Sequence, residues 1–314
     1  MAGVPDGDDA AAQTKPTSIG FVGLGHMGGN MAARFLGAGY QVCGTARRKE
    51  RLTPLLDSGL GWRETPREVT AAVEIVLTSI PDDATLREVA SGPDGILAAL
   101  APGKTWVDVS TVSPRASREM AGLAHAAGAD MLDAPVSGSV PQVKSGTLTI
   151  MVGGSEPAYE RVEPVLRELG TPTRIGENGQ GLVLKLAVNI SLAVQMLAFS
   201  EGLLLAERDG VDGDLAAQVM TDSPIGSPML KARAPLVLDL PEEAWFDVGL
   251  MQKDIRLALE TALELNVPLP SASAAAEVLA EAAERGFEHR DIAAMFQVLA
   301  RSSEQGATDP PMKR

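Results

Sequence analysis

The stretch GFVGLGHMGGNMAARFLGAG, from Gly20 to Gly39, decides the fold of the first half of the chain. Its glycines lie where an apolar run gives way to helical spacing, and glycine is costly in regular structure unless a special dihedral or a close approach requires it. Gly23, Gly25 and Gly28 have the spacing GxGxxG. Between a strand and a helix, this spacing is typical of a loop that binds the pyrophosphate of a dinucleotide.

The three glycines have separate expected tasks. Gly23 makes the tight turn, Gly25 lets the pyrophosphate approach the backbone, and Gly28 lets the helix pack closely on the strand. His26 would lie over the phosphates, far from the nicotinamide, so we assign it no acid–base role. We expect the whole loop to contact the cofactor, which gives the residues Gly23, Leu24, Gly25, His26, Met27 and Gly28.

Strand and helix patterns alternate through the first half of the chain. Helical patterns separate apolar, strand-like runs at residues 17–22, 40–45, 74–79, 104–110, 130–133 and 148–152. Such alternation predicts a parallel sheet covered on both faces. After about residue 176, helical periodicity dominates, over residues 182–207, 250–265 and 273–285. The predicted fold class is an α/β Rossmann dinucleotide-binding domain followed by an all-α C-terminal domain.

These patterns also predict where the domains begin and end. We expect the NAD(P)-binding Rossmann domain over residues 17–178 and a helical substrate and dimerisation domain over residues 179–302, which opens with a long interdomain helix. The polar segments 1–16 and 303–314 are predicted to be disordered tails. The first of them lacks the basic start and apolar centre of a signal peptide.

Charge and cysteine content limit the possible function classes. The formal net charge of -14 argues against nucleic acid and anionic membrane surfaces, since both partners need a basic face. The single cysteine, Cys43, allows no intrachain disulfide, which suits a reducing, cytoplasmic compartment. None of the three histidines has a recognisable metal partner in the sequence, so we predict no metal site.

The segment from Leu184 to Glu207 is long enough to cross a bilayer, at about 1.5 Å per residue. Groups that are expensive in hydrocarbon interrupt it, namely Lys185, Asn189, Gln195 and Glu201. A helix this apolar on all sides fits better between domains or subunits than in a membrane. We therefore predict a homodimer or higher homo-oligomer through the helical domain, since closed symmetric pairs are the usual way to cover such a surface.

The residues after the second strand indicate which dinucleotide is bound. An Asp or Glu at this point would bind the 2′-hydroxyl of NAD. The strand instead runs into Arg47, Arg48 and Lys49, with no acid before Glu50. Guanidinium groups bind phosphate through paired, charge-assisted hydrogen bonds. Although such a run is often only a solvated turn, its position favours NADP(H) over NAD(H), with Arg47 and Arg48 on the 2′-phosphate.

A second motif, GQGLVLKLAVN over residues 179–189, opens the long helix. Lys185 and Asn189 are one turn apart and share a helix face, and Gly181 leaves room on that side for something to approach. The apolar neighbours of Lys185 desolvate it, which lowers its pKa and prepares it for proton transfer. In isolation, a lysine snorkelling from a buried helix would be the simpler interpretation. Its place after a dinucleotide-binding domain favours the catalytic one.

Together with three further stretches, these motifs resemble the β-hydroxyacid dehydrogenase family, the group of 3-hydroxyisobutyrate dehydrogenase, tartronate semialdehyde reductase and glyoxylate/succinic semialdehyde reductase. DVSTVSP over residues 108–114 resembles the family's D-x-S-T-x-x-P, and DAPVSGS over 133–139 resembles D-A-P-V-S-G-G. MQKD over 251–254 resembles M-x-K-D, and residues 179–189 resemble G-x-G-x-x-x-K-x-x-x-N. The resemblance covers residues 17–299, nearly all of the chain outside the tails.

The resemblance implies hydride transfer between the nicotinamide and a carbon that bears a hydroxyl or aldehyde group on a small carboxylated substrate. Lys185 would protonate the carbonyl oxygen in reduction and accept the hydroxyl proton in oxidation, and Asn189 would hold the lysine and the substrate in register. The implied substrate-binding residues are Thr111, Ser137, Gly138, Ser139, Lys185 and Asn189. Beyond the glycine loop and the two arginines, the expected cofactor-binding residues are Ile80, Pro81, Thr111 and Lys253.

One position departs from the family's pattern, and two other functions stay open. Ser139 stands where many members have the second glycine of S-G-G, and the S-G-S version resembles the glyoxylate/succinic semialdehyde reductase side of the family. An imine reductase has a similar fold but typically lacks the catalytic lysine, so Lys185 argues against it. A non-catalytic NADP-binding module would have no need of Lys185, Asn189 and Ser137. The sequence does not name the substrate.

Overall fold

The computed structural model describes residues 18–306, and the predicted tail over residues 1–16 lies outside this range. Nine strands within the described residues form one sheet. They are β1 (Ser18–Val22), β2 (Gln41–Thr45), β3 (Gly61–Trp62), β4 (Ile75–Thr78), β5 (Thr105–Asp108), β6 (Asp130–Asp133), β7 (Val136–Ser137), β8 (Leu148–Gly153) and β9 (Gly170–Gly176).

Helices connect these strands and then form the second half of the chain. Those of the first half are α1 (His26–Gly37), α2 (Thr53–Asp57), α3 (Pro66–Ala72), α4 (Asp83–Ala90), α5 (Pro114–Ala126), α6 (Val140–Ser145) and α7 (Glu156–Leu166). Those of the second half are α8 (Gln180–Arg208), α9 (Gly213–Asp222), α10 (Pro228–Leu238), α11 (Val248–Leu265), α12 (Pro270–Ala282) and α13 (Met295–Gly306). Helix α13 therefore continues into the segment predicted as a C-terminal tail, whose remainder lies outside the described residues.

The sheet has the strand order β3-β2-β1-β4-β5-β6-β8-β7, and β9 also pairs with β8. The strands from β3 to β6 are all parallel. Strand β8 runs antiparallel to both β6 and β7, so the expectation of a purely parallel sheet is wrong at this end. The connection through the short α6 does not carry the chain back to the opposite end of the sheet, which parallel pairing requires.

Alternate residues of the central strands enter two separate cores, one on each face of the sheet. On β4, Ile75 and Leu77 belong to the same core as Phe35 of α1. Val76 points the other way and packs in the core that contains Trp106 of β5. All five side chains are at most 2% exposed. Strands buried on both faces are typical of parallel sheets covered by helices, which confirms the predicted α/β class for this half.

A third core holds the helical half together, which confirms the all-α prediction for the second half. Met196 and Leu203 of α8 pack there with Met251 and Ile255 of α11, and all four side chains are fully buried. Helix α8 also packs against α9, α10, α12 and α13. The described residues after β9 are helices, turns and loops, with a single isolated bridge between Asp247 and Asp291.

Within residues 18–306, α8 is the one helix long and apolar enough to cross a membrane, judged by length and composition alone. It has 29 residues and a mean hydropathy of 1.9 over its most apolar window, of which 44% is buried inside the protein. Its buried positions include Lys185, Asn189, Ala193 and Met196, which share one face. We interpret α8 as the central helix of a globular fold.

Candidate active site

The glycine loop joins β1 to α1, as its spacing predicts. Gly23 has a φ of +93°, in the left-handed region that favours glycine, and a Cβ there would overlap the carbonyl oxygen of Ser79. A Cβ on Gly28 would overlap the carbonyl oxygen of Gly23, so a side chain would push α1 away from the strand. At Gly25 the space is open, since a Cβ would meet no atom within 4 Å. Open space at a helix N-terminus fits a dinucleotide pyrophosphate.

The basic residues that follow β2 are exposed. Lys49 is already engaged, because its Nζ lies 3.7 Å from Glu64 Oε1 and 4.8 Å from the centre of the Trp62 ring. The side chains of Arg47 and Arg48, in contrast, form no hydrogen bond or ion pair with any of residues 18–306. Their donors are therefore available to an anionic ligand at this end of the sheet.

Asp133 ties the start of α8 to the sheet. The Asp133 carboxylate is fully buried at the end of β6, and it accepts hydrogen bonds from the backbone N–H of Gly179 at 2.6 Å and of Leu182 at 3.0 Å. These bonds satisfy N–H groups that the first turn of a helix leaves unpaired. A Cβ on Gly181 would overlap the carbonyl oxygen of Met151 on β8. The room that Gly181 provides is thus filled by the sheet, which corrects our expectation of space for an approaching ligand.

Helix α8 carries Lys185 from this anchor into the interior, where the residue is only 8% exposed. Burial disfavours the charged ammonium and lowers the pKa of Lys185 to about 8, an effect that nearby Asp254 opposes and nearby Lys253 adds to. The direction and the cause agree with the lowered pKa that the apolar neighbours of Lys185 predict. An amine with a pKa near neutrality can both donate and accept a proton at physiological pH.

Hydrogen bonds and an ion pair connect α8, α11 and the loop after β5. Asn189 Nδ2 donates to Asp254 Oδ2 at 2.6 Å, and both residues are at most 2% exposed. The other oxygen, Asp254 Oδ1, lies 2.9 Å from Lys253 Nζ. Lys253 Nζ also donates to the backbone carbonyl of Thr111. This chain of contacts holds the helical half against the dinucleotide-binding half beside Lys185.

A cavity of about 650 Å³ lies between the two halves, within the size range of small-molecule sites. It brings together many of the predicted residues, namely His26, Met27, Ile80, Pro81, Thr111, Ser137, Gly138, Ser139, Lys185, Asn189 and Lys253. The remaining predicted residues do not line it, namely Gly23, Leu24, Gly25, Gly28, Arg47 and Arg48. This division is expected if one end of a long dinucleotide lies in the cavity and the other end lies outside it.

The backbone at Ser139 accepts a residue other than the family's glycine. Its φ of -120° is an ordinary extended value, so the position does not need glycine. Ser139 is the N-cap of α6, and its backbone N–H donates to Gln142 Oε1 at 2.9 Å. This is one half of a capping box, which fixes the start of a helix. Ser137 and Gly138 precede it and line the cavity with it.

Comparisons with known proteins cover nearly all of the described chain. Residues 18–179 match the family described as the NAD binding domain of 6-phosphogluconate dehydrogenase. Residues 179–299 match the family described as NAD-binding of NADP-dependent 3-hydroxyisobutyrate dehydrogenase. The chain is 34% identical over 283 residues to glyoxylate/succinic semialdehyde reductase 2, chloroplastic, from Arabidopsis thaliana, with 90% of this chain and 79% of that protein covered.

The chain is also 36% identical over 282 residues to 2-hydroxy-3-oxopropionate reductase from Escherichia coli, with 90% of this chain and 96% of that protein covered. The chain belongs to the β-hydroxyacid dehydrogenase family. A crystal structure of 3-hydroxyisobutyrate dehydrogenase from Salmonella typhimurium has a TM-score of 0.81 and 31% identity, with 90% of this chain and 99% of that chain covered. The resemblance found in the sequence motifs is confirmed, and the protein is an NAD(P)-dependent oxidoreductase.

Sequence reasoning missed several residues that line the cavity of this β-hydroxyacid dehydrogenase. Asp254 could have been found, because it is the last residue of the M-x-K-D motif and follows a predicted cofactor residue. Arg233 on α10 and Trp245 after it carried no such signal, since the segment between α9 and α11 matches no motif quoted above. Gln195 was noticed only as a polar interruption of an apolar helix, although it also lines the cavity.

The lowered pKa of Lys185 predicts opposite pH dependences for the two directions of reaction in this β-hydroxyacid dehydrogenase. Below a pKa of about 8 the amine is protonated and can donate to a carbonyl oxygen, and above it the amine is neutral and can accept a hydroxyl proton. As the pH rises through this value, we expect kcat/KM for reduction to fall and kcat/KM for oxidation to rise. Steady-state profiles in both directions at constant ionic strength measure this. Two profiles with the same slope would contradict it.

Proposed function

We propose that the protein is an NADP-dependent oxidoreductase that transfers a hydride between NADP(H) and a short carboxylated hydroxy acid or semialdehyde. The observation that carries the proposal is the buried Lys185, held at a cavity between a dinucleotide-binding half and a helical half. The relatives named above are reductases of glyoxylate or succinic semialdehyde and of 2-hydroxy-3-oxopropionate. Each of these compounds joins a reducible carbonyl to a carboxylate, which supports the proposed substrate class.

The geometry of the cavity supports the residue roles that the family resemblance implies. A bound nicotinamide would supply the hydride in reduction and accept it in oxidation. The Ser137 hydroxyl and the Gly138 backbone N–H would bind the substrate carboxylate. Lys185 Nζ would give its proton to the carbonyl oxygen in reduction and take the hydroxyl proton in oxidation. Asn189, fixed by its 2.6 Å bond to Asp254, would hold the substrate in register with the amine.

The proposed preference for NADP(H) rests on the end of β2. The glycine loop and the start of α1 would hold the pyrophosphate, and the available guanidinium groups of Arg47 and Arg48 would bind the 2′-phosphate. Within the described residues no carboxylate forms a hydrogen bond or ion pair with these two side chains, although the charge of Arg47 does help to lower the pKa of the Asp82 carboxyl. The family that matches the helical half is described as NADP-dependent, which supports the same choice.

A screen of NADPH oxidation tests the proposal. We would offer glyoxylate, succinic semialdehyde, tartronate semialdehyde and methylmalonate semialdehyde, together with a cyclic imine. The proposal predicts turnover of at least one carboxylated aldehyde and no turnover of the imine. Imine reduction without aldehyde reduction would favour the imine reductase alternative, and NADPH binding without any turnover would favour a non-catalytic module. Lys185 and its hydrogen-bonded surroundings argue against both.

We further propose a soluble, cytoplasmic homodimer or higher homo-oligomer built on the helical half. Large apolar side chains are exposed there, among them Leu205 at 75%, Val219 at 59% and Ile225 at 70%. Burying such side chains against a second copy removes apolar surface from water. We expect light scattering to give at least twice the 32.7 kDa of one chain, and Val219→Asp to shift the protein towards a monomer. A wild-type monomer at micromolar concentrations would contradict this proposal.

A further inference from the structure

The cavity continues along α8 well beyond Lys185. Its lining residues on this helix include Lys185, Asn189, Leu192 and Gln195, which recur every three or four positions on one face. At 1.5 Å per residue, the helix advances about 15 Å from Lys185 to Gln195. A substrate the size of glyoxylate occupies only a small part of this length. The far end therefore has room for another group of the substrate.

Arg233 of α10 lines the same cavity, on a helix whose N-cap Ser227 donates to Gln195 Oε1 at 2.9 Å, although Arg233 is only 6% exposed. Its Nη1 donates to Asp291 Oδ1 at 2.7 Å. Its Nε and Nη2 form no hydrogen bond with any of residues 18–306, and both atoms are accessible to solvent. Because both atoms are accessible, their N–H donors are available to a ligand in the cavity.

Asp291 fixes the guanidinium without using up its donors. Besides the bond from Arg233, the Asp291 carboxylate accepts hydrogen bonds from the backbone N–H groups of Ala293 at 3.1 Å, Trp245 at 2.9 Å and Phe246 at 3.2 Å. Its negative charge is therefore shared among four donors. The Trp245 ring lies 5.9 Å from Arg233 Cζ, within the range of a cation–π contact. A guanidinium held rigidly in this way is well suited to pair with a carboxylate.

We propose that Arg233 binds a second carboxylate of the substrate, so that the preferred substrates are β-hydroxy acids that carry an additional carboxylate at the end of a short chain. This inference rests on the proposed function and names its substrate class. The first carboxylate lies at Ser137 and Gly138, and the second lies at Arg233. In oxidation the hydroxymethyl carbon loses a hydride to NADP⁺ and its O–H proton passes to Lys185, which leaves an aldehyde and NADPH.

Matched pairs of substrates test this inference. The diacids are the 2-hydroxymethyl derivatives of succinate, glutarate and adipate, and each is compared with the monoacid in which a methyl group replaces the far carboxylate, from 2-(hydroxymethyl)butanoate to 2-(hydroxymethyl)hexanoate. We expect kcat/KM for oxidation to favour the diacid by roughly ten- to hundredfold at one or more chain lengths, the size of a charged hydrogen-bond contribution. A ratio near one at every length would overturn the inference.

Variants of Arg233 assign the preference to this side chain. Arg233→Met should bring the diacid-to-monoacid ratio close to one, and Arg233→Lys, which keeps the charge but loses the planar fork, should give an intermediate ratio. Lys231→Met on the same helix is the matched control, since Lys231 is exposed and lies 3.4 Å from Asp222, outside the cavity. The ratio comes from one preparation, so it does not depend on the fraction of active enzyme.

The Arg233→Met change leaves Asp291 without its cation, and breaking a buried pair is destabilising. The double variant Arg233→Met with Asp291→Asn removes both charges and provides a second test of the same ratio. A diacid preference that persists in either variant would overturn the assignment to Arg233. If no hydroxy acid of either kind is oxidised, the proposed function fails as well. If only the diacid preference is absent, the proposed function stands and this inference alone fails.

Discussion

Lys185→Ala is expected to lower kcat by roughly 10²–10⁴-fold, the usual contribution of a positioned acid–base group. NADPH binding should be nearly unchanged, because the glycine loop and the two arginines lie on the other half of the protein. The fold should tolerate the change, since Asp254 keeps its contacts with Asn189 and Lys253. Steady-state turnover and a fluorescence titration with NADPH measure the two effects separately.

Two controls separate chemistry from packing at this position. Lys185→Met keeps most of the buried volume without a titratable group, so it should lose as much activity as the alanine variant. Leu184→Ala, at the neighbouring position that is 39% exposed, should retain most of the activity. Turnover within a few-fold of the wild type in Lys185→Met would show that another group moves the proton.

Replacing Arg47 and Arg48 together with glutamine is expected to raise the KM for NADPH by about 10²-fold or more, while the KM for NADH stays almost unchanged. Only NADPH carries the 2′-phosphate, and each charged hydrogen bond contributes on the order of 1.5–3 kcal/mol. Neither guanidinium group forms a hydrogen bond or ion pair with any of residues 18–306, so their loss should act mainly on the cofactor. Cofactor titrations at fixed substrate concentration measure both KM values.

Lys49→Gln is the matched control for this double variant. Lys49 is already paired with Glu64 and stacked on Trp62, so its removal should change the KM for NADPH little. The overall charge of -14 disfavours an anionic cofactor only at long range, and physiological salt screens it over about 8 Å. A wild-type enzyme that prefers NADH, or a double variant that loses both cofactors equally, would refute the NADP assignment.

The parts of the site that the sequence predicted are those set by local spacing. GxGxxG requires only neighbouring positions, and Lys185 and Asn189 are one helical turn apart. The partners that complete the site come from distant parts of the chain. Asn189 meets Asp254 across 65 positions, and Arg233 meets Asp291 across 58. The packing of α8 against α11 brings the first pair together, and the packing of α10 against the segment before α13 brings the second together. A single sequence carries no spacing signal for such pairs.

No strand was predicted from the sequence over residues 170–176, where the structure has β9, and this omission has a similar physical origin. Strand β9, with the sequence GTPTRIG, has few apolar residues because it pairs only with β8, and an edge strand tolerates Pro172. Its pattern therefore does not alternate in the way that a half-buried strand does. The central strands were predictable because burial on both faces demands continuous apolar runs.

The anchoring of α8 by Asp133 distinguishes the wall of the cavity that carries Lys185 from the wall that α10 supplies. The Asp133 carboxylate fixes Gly179 to the sheet, and less than two helical turns separate Gly179 from Lys185, so the sheet sets the position of the Lys185 amine. The far wall of the cavity, in contrast, is supplied by α10 and the turn that carries Trp245, which belong to the helical half. Substitutions in that wall can alter which acids fit while the amine keeps its place. In the proposed function, the acid–base group would stay fixed while the wall formed by α10 sets the length of the substrate that fits.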